Sequence, residues 1–242
     1  MSDVELAGLL AHTALQLLQA LRHYGTLTGK PLGAAGDAVA NAFLVRALAE
    51  ARPDDGVLSE EEKDNAARLS KSRVWVVDPL DGTREYGEGR DDFAVHVALC
   101  LDGSPDVAAV AMVDGVRTTA DPQPLPAHAG RPRLVVSRSR PPAVAEACAR
   151  AIDAELVPMG SAGAKVLAVV KGEVDAYVHA GGQYEWDSAA PVGVALAAGL
   201  HCTRIDGSPL VYNQPDVLLP DLLICRPELA PALLSACATP LP

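Results

Sequence analysis

The 242-residue chain is poor in aromatic side chains: two Trp, five Tyr and two Phe, only 4% of residues. With 49% of residues apolar, any core must be built mostly from Ala, Val and Leu. Basic residues are also short, with 20 Lys and Arg against 31 Asp and Glu and a formal net charge of −11. That balance argues against a general binder of nucleic-acid polymers. It does not exclude phosphate chemistry, because bound metal ions invert the local charge. The five cysteines (Cys100, Cys148, Cys202, Cys225 and Cys237) are odd in number and lack metal-ligand spacing. They read as buried free thiols of a reducing cytoplasm, and none as catalytic. The opening Met1-Ser2-Asp3-Val4-Glu5 lacks the basic start of a signal peptide. No apolar run reads as long enough to span a membrane. The expectation is a cytoplasmic protein of one large domain or two small ones.

The most informative stretch is Val74-Trp75-Val76-Val77-Asp78-Pro79-Leu80-Asp81-Gly82-Thr83. Val74 to Val77 form a short buried-strand pattern, which Pro79 should stop. Gly82 permits a tight turn and Thr83 can cap the next element. Asp78 and Asp81 would then share a surface turn at the carboxyl end of a strand, where open α/β sheets place ligands. Two such carboxylates repel unless a cation lies between them, and Mg²⁺ takes carboxylate, carbonyl, water and phosphate oxygens. A simple helix cap is the blander reading of Asp81-Gly82-Thr83. The Asp-x-Asp-Gly-Thr arrangement of haloacid dehalogenases fails here, because Pro79 stands where the nucleophile would be.

Asp78 to Thr83 resembles the Asp-Pro-(Ile/Leu)-Asp-Gly-Thr signature of the inositol monophosphatase superfamily, which comprises Mg²⁺-dependent, lithium-sensitive phosphatases of small molecules. The resemblance extends along nearly the whole chain. Val4 to Tyr24 is an amphipathic helix closed by Gly25. Thr26 to Gly36, rich in Gly and Pro, reads as a loop, and Asp37 opens a second helix as its N-cap. In the family an aspartate here helps orient the attacking water. Val57-Leu58-Ser59-Glu60-Glu61 is either a solvated helix start or, by resemblance, a strand ending in a metal-ligating glutamate, Glu60. Arg84-Glu85-Tyr86 is similar to the bisphosphate nucleotidase branch.

Residues 93–99 and 106–113 read as strands, with His96 a packed sheet residue. Asp121 to Pro132 reads as a connector between two domains, residues 1–130 and 131–242. Leu134-Val135-Val136 is a strand ending in Ser137-Arg138-Ser139-Arg140, either a polar loop or a phosphate-binding end. Pro142 to Ile152 reads as a helix and Val157-Pro158-Met159 as an edge strand. Gly160-Ser161 opens a helix whose free N–H groups could meet an anion. Lys165 is either a point charge for that anion or an ordinary exposed helix lysine. After the strand Val174 to Val178, Trp186-Asp187-Ser188-Ala189-Ala190 matches the family's second signature ahead of a helix over 192–198. Asp187 would cap that helix. Residues 222–225 read as a buried strand and 228–237 as a terminal helix.

The resemblance implies a layered α/β/α/β/α sugar-phosphatase fold, with an α+β N-terminal part, an α/β C-terminal part and the site between them. Glu60, Asp78 and the Leu80 carbonyl would hold one Mg²⁺. Asp78, Asp81 and Asp187 would hold a second, with a third possible near Glu60. Gly82 and Thr83 would meet the phosphate through N–H groups, and Asp37 with the Thr83 hydroxyl would orient water. Ser137, Arg140, Ser161 and Lys165 would bind substrate. The implied substrate is a small phosphorylated molecule: a nucleoside 3′,5′-bisphosphate or, alternatively, inositol 1-phosphate or fructose 1,6-bisphosphate. Family members are commonly homodimers.

Overall fold

The computed structural model describes residues 1–127 and 130–238, so residues 128 and 129 of the connector and the terminal 239–242 lie outside the described residues. Helix α1 (Asp3–His23) starts at a capping box in which Ser2 and Glu5 exchange hydrogen bonds. Gly25, at φ 66°, carries the chain out of it. Helix α2 (Gly29–Ala51) begins eight residues before Asp37. The expected loop over 26–36 is therefore mostly helix, and Asp37 lies within α2 and is not its cap. Pro31 is harmless in the first turn, where its missing N–H has no helical partner. Both helices are long and apolar enough to cross a membrane by length and composition, which corrects the reading that no such run exists. In this fold each turns a buried stripe inward: Leu32, Gly36, Ala40, Leu44 and Leu48 recur every four residues along α2.

The first sheet has the order β1-β2-β3-β4-β5, from β1 (Gly56–Ser59), β2 (Arg73–Asp81), β3 (Ala94–Leu101), β4 (Ser104–Met112) and β5 (Gly115–Thr118). Only the β1–β2 pair is parallel. Strand β2 runs through Pro79, beyond the expected stop. Its register with β3 shifts between Asp78 and Asp81, so Pro79 sits in a bulge and owes no ladder bond. The short helix α3 (Thr83–Gly87) comes next, with Gly82 at φ 85° as its N-cap; Thr83 is the first helical residue and not the cap.

The second sheet has the order β7-β6-β8-β10-β9, from β6 (Arg133–Ser137), β7 (Glu155–Met159), β8 (Ala176–Tyr184), β9 (His201–Thr203) and β10 (Leu218–Cys225). β7, with Pro158, lies at the edge as expected. Helices α4 (Val144–Ala151), α5 (Ala162–Val170), α6 (Glu185–Ala197) and α7 (Ala230–Ala238) complete the chain. Helix α6 starts two residues before Asp187 and seven before the expected Val192. Pro191 lies inside it and leaves the Asp187 carbonyl without its usual helical donor.

Period-two alternation sorts these elements into five layers. Trp75, Val77, Val95, Val97 and Leu99 face α1 and α2 in one buried cluster. Val74, Val76, Ala98, Cys100 and Val110 point the other way, onto α5 and α6. These two helices also cover the near face of the second sheet, through Val135, Tyr177, Leu222 and Ile224. Leu134, Val136, Val178 and Leu223 pack outward on α4 and α7. The result is the expected α/β/α/β/α stack.

Two glycines on α2 bring it against the start of α3. A Cβ at Gly36 would come within 2.9 Å of Leu80 and Tyr86 and 3.0 Å of Leu18. One at Gly33 would meet Thr83 Cγ2 at 2.7 Å. Gly36→Ala should thus cost about 1–3 kcal/mol of overpacking, less the ~1 kcal/mol that Ala gains in a helix. The expected result is a lower urea midpoint at unchanged slope; a midpoint at or above wild type would show that the contact yields freely.

Candidate active site

The site forms where β1, β2, α3, α5 and α6 converge. Asp78, Asp81 and Asp187 each place one carboxylate oxygen within 4.8 Å of the others. Asp78 is 1% exposed; its Oδ1 accepts from the Leu80 N–H at 3.0 Å, while its buried Oδ2 has no hydrogen-bond partner among the described residues. Glu60 directly follows β1, which runs parallel to β2, and its N–H donates to the Val77 carbonyl at 3.3 Å, next to Asp78. Burial, then Glu60, Asp81 and Asp187, push the Asp78 pKa well above the usual carboxylate range. Glu60 and Asp187 are both pushed up to about 7, first by desolvation and then by a neighbouring carboxylate, Asp187 for Glu60 and Asp81 for Asp187. An orphaned buried oxygen among mutually repelling carboxylates fits a hard divalent cation.

Asp81 differs from the others. It is 7% exposed, not on a surface turn, and receives the start of α5. Its Oδ1 accepts from Ala162 N–H at 3.0 Å and its Oδ2 from Gly163 N–H at 2.7 Å and from the Ser161 hydroxyl. The anion at this helix start is therefore the protein's own, and Ser161 is committed to Asp81. Buried His96 lies 3.4 Å from Asp81 Oδ2 through Nε2, and its Nδ1 meets the Trp186 carbonyl at 3.1 Å.

Thr83 Oγ1 lies 3.3 Å from Asp37 Oδ1 and 3.1 Å from the Leu80 carbonyl. Desolvation and then Glu61 push the Asp37 pKa up to about 7, against the Thr83 hydrogen bond. Asp37 and Thr83 line a second cavity of about 710 Å³ with Lys30 and Arg84.

A cavity of about 200 Å³ joins Asp81, Gly82 and Asp187 to Ser137, Arg140, Ser161 and Lys165. Ser137 Oγ accepts from the Arg140 N–H at 3.2 Å. Arg140 is exposed at the cavity rim. Lys165 is no exposed helix lysine: it is 5% exposed, its ammonium donates to the Gly160 and Ser161 carbonyls, and burial lowers its pKa. Arg138 and buried Glu85 pair at 2.6 Å across the two sheets' elements, and neither stands out in the sequence as a site residue. The same holds for His179 and Gln183 in the cavity wall. A lone charge beside a better motif gives no signal of such pairing.

A carboxylate cluster fit for cations, a hydroxyl–carboxylate pair and a basic cavity, on this stack, define a metal-assisted site for small anionic substrates. The chain belongs to the inositol monophosphatase family, whose pattern it matches over residues 7–121 and 133–238. It is 52% identical over 237 residues to the 3′-phosphoadenosine 5′-phosphate phosphatase of Mycobacterium tuberculosis, covering 92% of this chain and 88% of that protein. It is 32% identical over 201 residues to the 3′(2′),5′-bisphosphate nucleotidase CysQ of Escherichia coli, covering 76% of this chain and 81% of that one. The crystal structure of CysQ from Bacteroides thetaiotaomicron superposes with a TM-score of 0.78 at 23% identity, covering 91% and 96% of the two chains.

The raised carboxyl pKa values carry a sign. Native Glu60 and Asp187, pushed up to about 7, hold protons that the unfolded chain releases nearer the ordinary values of 4.5 and 3.8. With chelator present, the cluster's contribution to stability should fall as pH rises from about 4 to about 7. Mg²⁺ should restore it by binding the native state, and more strongly above pH 7 than below. Asp78→Asn should shrink both effects. Urea midpoints with and without Mg²⁺ test this; a Mg²⁺ gain equal in wild type and Asp78→Asn rules the cluster out as the binding site.

Proposed function

We propose that the chain is a Mg²⁺-dependent phosphatase that removes the 3′-phosphate of adenosine 3′,5′-bisphosphate, giving AMP and phosphate, with the 5′-phosphosulfate analogue as a second substrate. The observation that carries this reading is the shared cavity: Arg140 and Lys165 stand in the same space as Asp81 and Asp187. A bisphosphate needs such a second cationic region apart from the metal cluster. The names of the relatives at 52% and 32% identity agree with it.

In this reading Glu60, Asp78 and the Leu80 carbonyl would hold one Mg²⁺ and Asp78, Asp81 and Asp187 another, with a third near Glu60. Bound there, the ions would acidify water and neutralise phosphoryl charge. The residues supply the rest. Asp37, with its pKa near 7, can take or return a proton at Oδ1, beside the Thr83 hydroxyl that fixes the attacking water. Gly82 and Thr83 present backbone N–H groups to the phosphate. Ser137 and Ser161 line the substrate cavity. Arg140 grips the distal phosphate in a bidentate way that lysine cannot copy. Residues 1–130 and 131–242 act as two domains around this cleft, and the enzyme works as a cytoplasmic homodimer.

A phosphate-release panel tests the substrate. Adenosine 3′,5′-bisphosphate should exceed inositol 1-phosphate and fructose 1,6-bisphosphate in kcat/KM; a higher value for inositol 1-phosphate would move the assignment to an inositol phosphatase. Arg140→Ala should weaken use of the bisphosphate by about 1.5–3 kcal/mol, the scale of a charge-assisted hydrogen bond, and leave inositol 1-phosphate nearly unchanged. Equal losses on both would make Arg140 part of the common site. Lithium chloride should inhibit where equal sodium chloride does not, read in the same assay; equal response to both salts would remove the lithium-sensitive assignment.

A further inference from the structure

The outermost layer of the second half carries a thiol pair that the phosphatase chemistry does not use. Cys148 on α4 is fully buried and Cys237 on α7 is half-buried, and their sulfurs lie 3.5 Å apart. They belong to separate helices, 89 residues apart in sequence, that pack against each other beneath the second sheet. A disulfide needs sulfurs at about 2.05 Å, so closure takes a shift of about 1.5 Å between two side chains already in contact.

We propose that Cys148 and Cys237 form a redox-active dithiol, closed to a disulfide by a hydroperoxide. The half-buried Cys237 is the sulfur that the oxidant reaches first. Its thiolate attacks the peroxide O–O bond, giving a sulfenic acid and releasing an alkoxide or hydroxide that takes up a proton. The Cys148 sulfur then attacks the sulfenic sulfur; the S–S bond forms, the S–O bond breaks, and the hydroxyl leaves as water with the Cys148 proton. Each sulfur gives up one electron, and the peroxide takes both. The hydrogen bond between the thiols supports these roles, holding Cys148 as the thiol and lowering the pKa of Cys237. Cys100, Cys202 and Cys225 are instead pushed up by burial, which keeps them as unreactive thiols.

The disulfide would pin the terminal helix to α4 and remove the chain entropy of a long loop from the unfolded state. The sheet lies between these helices and the cavity holding Asp81 and Asp187, so the staple should act on stability and leave the site alone.

The test treats the full-length protein with excess cumene hydroperoxide, followed by alkylation, intact mass and peptide mapping. The expected product is 2 Da lighter, has three alkylatable thiols in place of five, and contains a Cys148–Cys237 cross-linked peptide. Its thermal midpoint should rise by several degrees and return to the starting value with dithiothreitol, while phosphate release stays within about twofold of the reduced enzyme. Cys148→Ser should yield a dimedone-trapped sulfenic acid at Cys237 and no cross-link. Cys202→Ser should behave as wild type. Absence of the lighter species, its persistence in Cys237→Ser, or a cross-link to another cysteine would overturn the proposal.

Discussion

The structure depends on one carboxylate. Asp81 stands at the end of β2 in the first sheet, yet the donors that satisfy it come from the first turn of α5, which packs under the second. Two helix N–H groups and a hydroxyl on one charged group are charge-assisted hydrogen bonds at a helix start, the stronger kind. The glycines around them are needed for the approach. A Cβ at Gly163 would reach His96 Nε2 at 2.2 Å, and one at Gly160 would reach Glu85 Cδ at 2.5 Å. Asp81 therefore joins the two sheets and sets the distance from Asp78 to Asp187, residues that the sequence separates by more than a hundred positions.

The layered order and the strand before Glu60 were legible only through the family resemblance, whereas the strand carrying Asp78 and Asp81 was legible because a continuous apolar run, Val74 to Val77, ends in acids and a Gly-containing turn. The short edge strands β5 and β9 were not. Gly115 to Thr118 is wholly half-buried, and His201 to Thr203 is three residues long, so neither shows alternation. The beginnings of α2 and α6 were misplaced for a shared reason. Glycine and proline read as loop, but Gly33 and Gly36 are there because α3 packs against them. The expected helix began only after Pro191, while tertiary burial keeps α6 intact around that proline: every residue from Ser188 to Ala195 is buried. Local propensity lost to packing at both places, and both lie beside functional candidates.

The side chains around the cavity were less legible still. Glu85 and Arg138 look like ordinary surface charges in sequence, and Lys165 reads there either as one or as a point charge for an anion. Only the fold shows that Lys165 is buried among carbonyls and that Glu85 meets Arg138 from the other half. Partner choice among charges is set by three-dimensional approach, which spacing along the chain does not encode. Ser161 shows the reverse case. Its place in a family motif pointed to substrate, whereas its hydroxyl serves Asp81 and its own helix at a strained φ of 49°.

The cluster's carboxyls divide into one that the protein satisfies itself and others that it leaves facing one another. Asp81 takes three hydrogen bonds from the start of α5. Asp78, Glu60 and Asp187 receive far fewer; their pKa values rise, and one Asp78 oxygen has no hydrogen-bond partner among the described residues. A fold selected for stability alone would protonate, pair or replace these groups. Keeping three under-satisfied carboxyls around one that is fully satisfied gives a preformed frame with residual negative charge, which is what a dication requires of a site. The mutual repulsion within the cluster and its capacity to bind a cation are therefore one property, set by where β2 ends and where α5 begins.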